Sequence, residues 1–233
     1  MTTTKGITIG VLAVQGAFRE HIAMFERLGV EAVEVRLPEQ LDDIDGLVIP
    51  GGESTAIGRL VAAFGLLEPL RRTIEGGLPV YGTCAGMILL ARDIGRETQP
   101  ILGEMDIVVK RNAFGRQLDS FESDIAVPDL GPEPFHAVFI RAPAIERVGP
   151  LARVLARLDD GTIVAAEQGT MLATAFHPEL SADARMHQRF MALCVEARER
   201  RASPDGPGPS HAGDRYALHP RRMLLADSNR TKG

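Results

Sequence analysis

The run Leu78-Pro-Val-Tyr-Gly-Thr-Cys-Ala-Gly-Met-Ile-Leu-Leu-Ala-Arg92 leaves this chain few ways to fold. A short apolar strand ends in Gly82-Thr83, a thiol follows at Cys84, and Ala85-Gly86 opens an amphipathic helix. A chain that passes from strand to helix in so few residues folds tightly against itself. Glycines two residues before and after Cys84 fall where side chains would collide. This is the strand–turn–helix setting of a nucleophile elbow, with Cys where other hydrolases carry Ser. At a helix start the thiol meets unpaired N–H groups and the dipole, which favour a thiolate. The bland use of such a residue is a buried core cysteine; glycines on both sides favour the nucleophile.

The pattern around this run is an alternation of elements. Strands are expected at Ile7–Val14, Ala32–Val35, Gly46–Ile49 and Pro79–Gly82, and helices at Arg19–Leu28, Thr55–Phe64, Leu67–Glu75 and Ala85–Arg92. Such βα repetition predicts an α/β fold, a mostly parallel sheet with helices on both faces. The second half is richer in strands: Ile107–Lys110, Phe121–Val127, Ala137–Ile140, Val154–Leu158, Thr162–Glu167 and Met171–Phe176. Asp159-Asp-Gly161 and Gln168-Gly169 read as hairpin turns, so antiparallel strands extend the sheet. A last helix spans about Ala184–Arg201, with Cys194 on its apolar side beside Phe190 and Leu193 as a core residue.

A nucleophilic thiol needs a base, and the base an orienting partner. His177-Pro178-Glu179 follows the apolar segment Met171–Phe176 and supplies both, with Pro178 fixing the turn between them. His177 takes the thiol proton and later protonates a leaving amine; Glu179 sets its tautomer. His21 and His187 lie on predicted helices and read as solvated, His136 precedes a strand, and His211 and His219 lie in a biased tail. Pro50-Gly51-Gly52, at the end of another strand, offers backbone N–H groups for an oxyanion. Read blandly, it is a turn before a helix capped by Ser54. Gln15-Gly16 also ends a strand and is expected beside this loop.

Composition excludes several classes. With 26 basic against 31 acidic residues the net charge is −5, which argues against nucleic acid as the main partner. No apolar run approaches a membrane span, and Met1-Thr-Thr-Thr-Lys-Gly6 lacks a signal-peptide core, so a cytoplasmic location and no membrane are expected. Two cysteines suit a reducing compartment. There is no phosphate-cradling or metal-ligand motif, and no cofactor is expected. Two units follow: a domain over 1–201 and a disordered tail over 202–233, which opens Ser203-Pro-Asp-Gly-Pro-Gly-Pro-Ser210.

In order, Pro-Gly-Gly, Gly-x-Cys-x-Gly and His-Pro-Glu resemble the class I (triad) glutamine amidotransferases. Further strings are similar to one branch, the glutaminase subunits of pyridoxal 5′-phosphate synthase. They are Gly10-Val-Leu-Ala-Val-Gln-Gly-Ala17 with Arg19-Glu-His21, Pro50-Gly-Gly-Glu-Ser-Thr55, Arg111-Asn-Ala-Phe-Gly-Arg-Gln-Leu-Asp-Ser-Phe-Glu122, Val138-Phe-Ile-Arg-Ala-Pro143 and Phe176-His-Pro-Glu179. The resemblance runs from about Ile7 to Arg201. It implies hydrolysis of L-glutamine to glutamate and ammonia by Cys84, His177 and Glu179, with Gly52 and Ala85 as oxyanion donors. It further implies glutamine contacts from Gly52, Glu53, Ser54, Arg111, Ile140 and Arg141, and a hetero-oligomer with the lyase-type synthase subunit. On the residues alone two other readings stay open. One is the glutaminase subunit of a different synthase, such as imidazole glycerol phosphate synthase. The other is a non-catalytic Cys-bearing α/β regulatory protein.

Overall fold

The computed structural model describes residues 6–96, 98–114 and 120–203. In chain order the elements are β1 (Thr8–Leu12), α1 (Phe18–Arg27), β2 (Glu31–Val35), β3 (Gly46–Ile49), α2 (Ser54–Ala63), α3 (Leu67–Glu75), β4 (Val80–Thr83), α4 (Ala85–Leu90), β5 (Ala91–Asp93) and β6 (Met105–Lys110). They continue with β7 (Ser120–Ile125), β8 (Phe135–Ile140), β9 (Ala144–Val148), β10 (Arg153–Arg157), β11 (Ile163–Gln168), β12 (Met171–Thr174) and α5 (Arg185–Ala202).

The main sheet runs β2-β1-β3-β4-β12-β11-β9-β6-β5, with β10 also paired to β11. From β2 through β12 neighbouring strands are parallel, whereas β11 pairs antiparallel with β12, β9 and β10. The parallel centre follows from its residues. Gly46-Leu-Val-Ile49 and Val80-Tyr-Gly-Thr83 are buried at every position, as strands covered on both faces must be. Both expected hairpin turns join antiparallel pairs, β10–β11 and β11–β12.

The core gathers Phe25, Tyr81, Phe135, Phe139, Phe176 and Phe190, all fully buried. Cys194 is buried with them, as expected. Arg189 of α5 pairs with Glu167 of β11 and with Asp129, and Arg153 of β10 reaches the same two carboxylates. This ion network ties the last helix to the antiparallel half.

Several expectations needed correction. The helix behind Cys84 stops at Leu90 instead of Arg92. Ala91 turns extended (φ −57°, ψ 140°), and Ala91–Asp93 pairs with β6 as an additional strand. Strand β9 went unseen because Pro143 and Pro150 flank it and charged residues interrupt it. His136 lies within β8, not before it. Helix α2 is capped by Glu53, not Ser54: the Glu53 carboxylate accepts from the N–H groups of Thr55 and Ala56 at 3.0 and 2.7 Å. Of the expected tail over 202–233, Ala202 ends α5; residues from 204 onward lie outside the described residues, as do 115–119 of the Arg111–Glu122 string. Among the described residues no helix is long and apolar enough to cross a membrane.

Candidate active site

Parallel pairing of β4 with β12 aligns Thr83 with Thr174, so both strands deliver their next residues to one place. The Cys84 N–H donates to the Thr174 carbonyl at 2.8 Å. Cys84 itself sits at φ 48°, ψ −102°, a left-handed conformation that costs a non-glycine residue about 1–3 kcal/mol. What enforces it is close packing. A Cβ on Gly86 would overlap the Ile49 carbonyl, and one on Gly82 would lie 2.6 Å from the Gly86 carbonyl carbon. The elbow therefore presses against β3 with no space for side chains.

His177 arrives from the other side. Its N–H donates to the Val138 carbonyl at 2.8 Å, and the preceding Phe176 is anchored against Phe135 and Phe139. Pro178 starts a single 3-10 turn that brings Glu179 back beneath the imidazole. His177 Nδ1 donates to Glu179 Oε1 at 2.7 Å, which leaves Nε2 for the thiol. Cys84, His177 and Glu179 are all buried. Burial opposes charge on His177, but hydrogen bonds to Cys84 and Glu179 outweigh it and raise its pKa to about 10. Burial likewise opposes charge on Glu179, and His21 and His177 together overcome it, holding the carboxyl below its ordinary value.

The Pro50-Gly51-Gly52 loop closes the third side. A Cβ on Gly51 would overlap the His177 ring, so only glycine leaves room for that imidazole. The Gly51 carbonyl accepts from Ala17 N–H at 3.0 Å, and Gln15 Oε1 accepts from Glu53 N–H at 2.9 Å. Gln15-Gly16 thus lies beside the loop as expected. Because a peptide is planar and trans, the Gly52 N–H points away from the side on which the Gly51 carbonyl is held. Ala85 begins α4 directly after the thiol.

The other expected residues fall around this centre. The Cys84 thiol approaches the Ile140 carbonyl at 3.9 Å, and Arg141 follows with a left-handed φ of 43°. Arg111 reaches Glu53 Oε1 at 3.3 Å, Thr55 Oγ1 at 3.3 Å and Gln99 Oε1 at 3.1 Å. Ser54, buried, donates to the same Gln99 oxygen at 3.2 Å. Burial slightly opposes the Glu53 charge, but the Thr55 and Ala56 N–H groups and Arg111 outweigh it and lower its pKa.

Four residues escaped the sequence reading. Gln99 orders the Arg111 side of the site from a segment without periodic pattern. His21 and His187 are fully buried, not solvated, and with Thr83 they form a polar cluster behind Glu179. The helical period could have found both histidines. His21 shares a face with Met24 and Phe25, and His187 with Phe190, Met191 and Cys194.

Comparison with known proteins fits this geometry. Residues 11–196 match the model of the SNO glutamine amidotransferase family. The chain is 61% identical over 190 residues to "Pyridoxal 5'-phosphate synthase subunit PdxT" of Herpetosiphon aurantiacus, covering 80% of this chain and 100% of that protein. It is 62% identical over 185 residues to the protein of the same name from Moorella thermoacetica, covering 79% and 98%. A crystal structure of a glutamine amidotransferase superposes with a TM-score of 0.75 at 48% identity, covering 80% of this chain and 98% of that one. A more distant structure, a putative GMP synthase subunit from Thermoplasma acidophilum, shares the fold at 18% identity and a TM-score of 0.60. With its nucleophile elbow, triad geometry and a family match over most of its length, the chain belongs to the SNO glutamine amidotransferases.

Proposed function

We propose that this chain hydrolyses L-glutamine and passes the ammonia to a pyridoxal 5′-phosphate synthase partner. The observation that carries the reading is the Cys84–His177–Glu179 constellation, in which a buried imidazole bonded to a carboxylate through Nδ1 turns its other nitrogen to an elbow thiol. The Cys84 thiolate attacks the side-chain carbonyl carbon of glutamine. The resulting oxyanion is received by N–H groups of Gly52 and Ala85, donors typically worth about 3–4 kcal/mol each in the transition state. The His177 imidazolium gives its proton to the departing nitrogen, the C–N bond breaks, and a glutamyl thioester remains with ammonia. Water then loses a proton to His177 and attacks the thioester carbon. The C–S bond breaks, and glutamate and the thiolate are released.

Glutamine's α-carboxylate and α-amine are assigned to the rim formed by Arg111, Glu53, Ser54 and the Ile140-Arg141 backbone. The Ile140 carbonyl is an acceptor already beside the thiol. The synthase partner is assigned from the names of the relatives, since ammonia freed into water would be protonated and lost. Partner docking has a physical target in the Gly51 carbonyl. Reorienting the Gly51–Gly52 peptide to aim its N–H elsewhere must break the bond to Ala17 N–H.

Cys84→Ala tests the assignment. Glutamate release should vanish with the fold intact, and the electrophile 6-diazo-5-oxo-norleucine should label Cys84 and spare Cys194. The latter is fully buried, and burial pushes its thiol pKa up. Full turnover in Cys84→Ala, or label on Cys194 alone by mass spectrometry, refutes the reading.

A further inference from the structure

Behind the triad, the second oxygen of Glu179 faces a chain of two histidines. Oε1 is taken by His177 at 2.7 Å. Oε2 is buried, and among the described residues no well-aligned hydrogen bond reaches it. Its nearest compensating group is His21 Nε2 at 3.3 Å, both side chains having no exposure. The same His21 nitrogen lies 3.2 Å from Thr83 Oγ1, and His21 Nδ1 lies 3.0 Å from His187 Nε2. Among the described residues, buried His187 Nδ1 has no hydrogen-bond partner.

The two neutral tautomer arrangements of this cluster differ in what His21 presents to Glu179. If His21 carried its proton on Nδ1, it would donate to His187 Nε2. Its own Nε2 would then turn a lone pair toward the Glu179 carboxylate, a repulsive contact at 3.3 Å between two buried groups. In the other arrangement His187 Nε2–H donates to His21 Nδ1, and His21 Nε2–H lies between Thr83 Oγ1 at 3.2 Å and Glu179 Oε2 at 3.3 Å. The unpartnered His187 Nδ1 is then a bare acceptor. Burial lowers the pKa of His21, against the pull of the Glu179 charge, and lowers that of His187 well below its ordinary value.

We infer that His21 is a positioning residue for the triad: its Nε2–H holds the second oxygen of Glu179, and His187 keeps His21 in the tautomer that can do so. A carboxylate bonded through one oxygen can rotate about its Cγ–Cδ bond. One held at both oxygens keeps Oε1 on His177 Nδ1 and the imidazole aimed at the thiol. The groups facing this cluster are His177 and Glu179 on the triad turn, Tyr81 and Thr83 on β4, Glu20 on α1, His187 on α5, and Arg27 toward His187. His21, wholly buried, is separated from glutamine, so it should act on turnover and not on binding. The inference rests on the glutaminase reading.

Full-length protein supplied with the synthase subunit is the material for the test. Wild type must release glutamate and Cys84→Ala must not; failure of that pair overturns the glutaminase reading itself. His21→Leu should lower kcat about 10–100-fold, the usual cost of losing a partner that orients a catalytic ligand. KM should stay within about twofold, because uniform binding is untouched. The acid limb of kcat should move to higher pH, because a buried carboxylate oxygen left bare favours protonation. His21→Gln, which restores an N–H donor, should recover most of the loss. Nitrogen-15 histidine spectra of wild type read the tautomer independently of activity and should show protonated Nε2 and bare Nδ1 on His21. A folded His21→Leu with kcat within about twofold of wild type, a His21→Gln no better than His21→Leu, or a proton on His21 Nδ1 each overturns the inference. Should His21→Leu fail to fold, the His21→Gln rates and the nitrogen spectra decide alone.

Discussion

The elbow half of the site and the clamp half are built on different physics. Around Cys84 and His177 the geometry is set by exclusion: a Cβ at Gly82 or Gly86 would overlap the Gly86 or Ile49 carbonyl, one at Gly51 would overlap the His177 ring, and Ile49, Cys84 and His177 are buried. Around Arg111 it is set by attraction. Gln99, Glu53 and Thr55 come from separate segments and meet through side-chain hydrogen bonds near the surface. Close-packed contacts admit one arrangement and fail abruptly when a methyl is added. Partly exposed polar contacts exchange with water and yield gradually. The half proposed to do the chemistry is close-packed, and the half proposed to receive glutamine is held by exchangeable contacts.

The largest effect that could break this contrast is Gly86→Ala. Its added methyl would overlap the Ile49 carbonyl, which a strand in the middle of the sheet cannot move. A loss of about 3 kcal/mol or more is expected, with glutamate release abolished. Chemical denaturation checks it; a stable, active Gly86→Ala protein would show that the elbow is as adjustable as the clamp.

A middle effect is expected on the clamp. Arg111→Ala should leave the melting temperature close to wild type while weakening glutamine use about tenfold in kcat/KM, the loss of roughly one charged hydrogen bond. Steady-state kinetics beside a thermal melt separate the two quantities. Collapse of the fold in this variant would place Arg111 with the structural residues.

The smallest effect sharpens the comparison through pH. The folded pKa of His177 lies above 6.5, so the stability it contributes is fully present below that value and is lost as pH rises through about 10. Glu53 has a lowered folded pKa, so its contribution is present above the ordinary 4.5 and is lost as pH falls below it. The melting-temperature gap between wild type and His177→Asn should narrow on the alkaline side, and that between wild type and Glu53→Gln on the acid side. Gaps that narrow at the same end would contradict the assignment.

Legibility in the sequence divides along the same line. The elbow, the His-Pro-Glu turn and the Pro-Gly-Gly loop could be read because steric necessity selects particular residues at fixed spacing, as Gly82 and Gly86 do about Cys84. The parallel centre could be read because strands covered on both faces must be apolar throughout. Strand β9, interrupted by charges, carried no such pattern and formed because β6 and β11 offered it edges.

What only the tertiary structure decided are contacts between residues far apart in sequence whose types are individually commonplace. Gln99 could have served anywhere on the surface, yet it meets Ser54, Thr55 and Arg111. His21 and His187 lie 166 positions apart on two helices and looked solvated, because polar residues on helices usually are. Packing α1 and α5 against β4 buried them, and a buried polar ring must find a partner. Local sequence thus determined which turns and strands were possible and which residues could do the chemistry. Only the folded chain determined that Glu179 would find His177 on one oxygen and His21 facing the other. Hydrogen-bond complementarity at a distance leaves no local spacing to read.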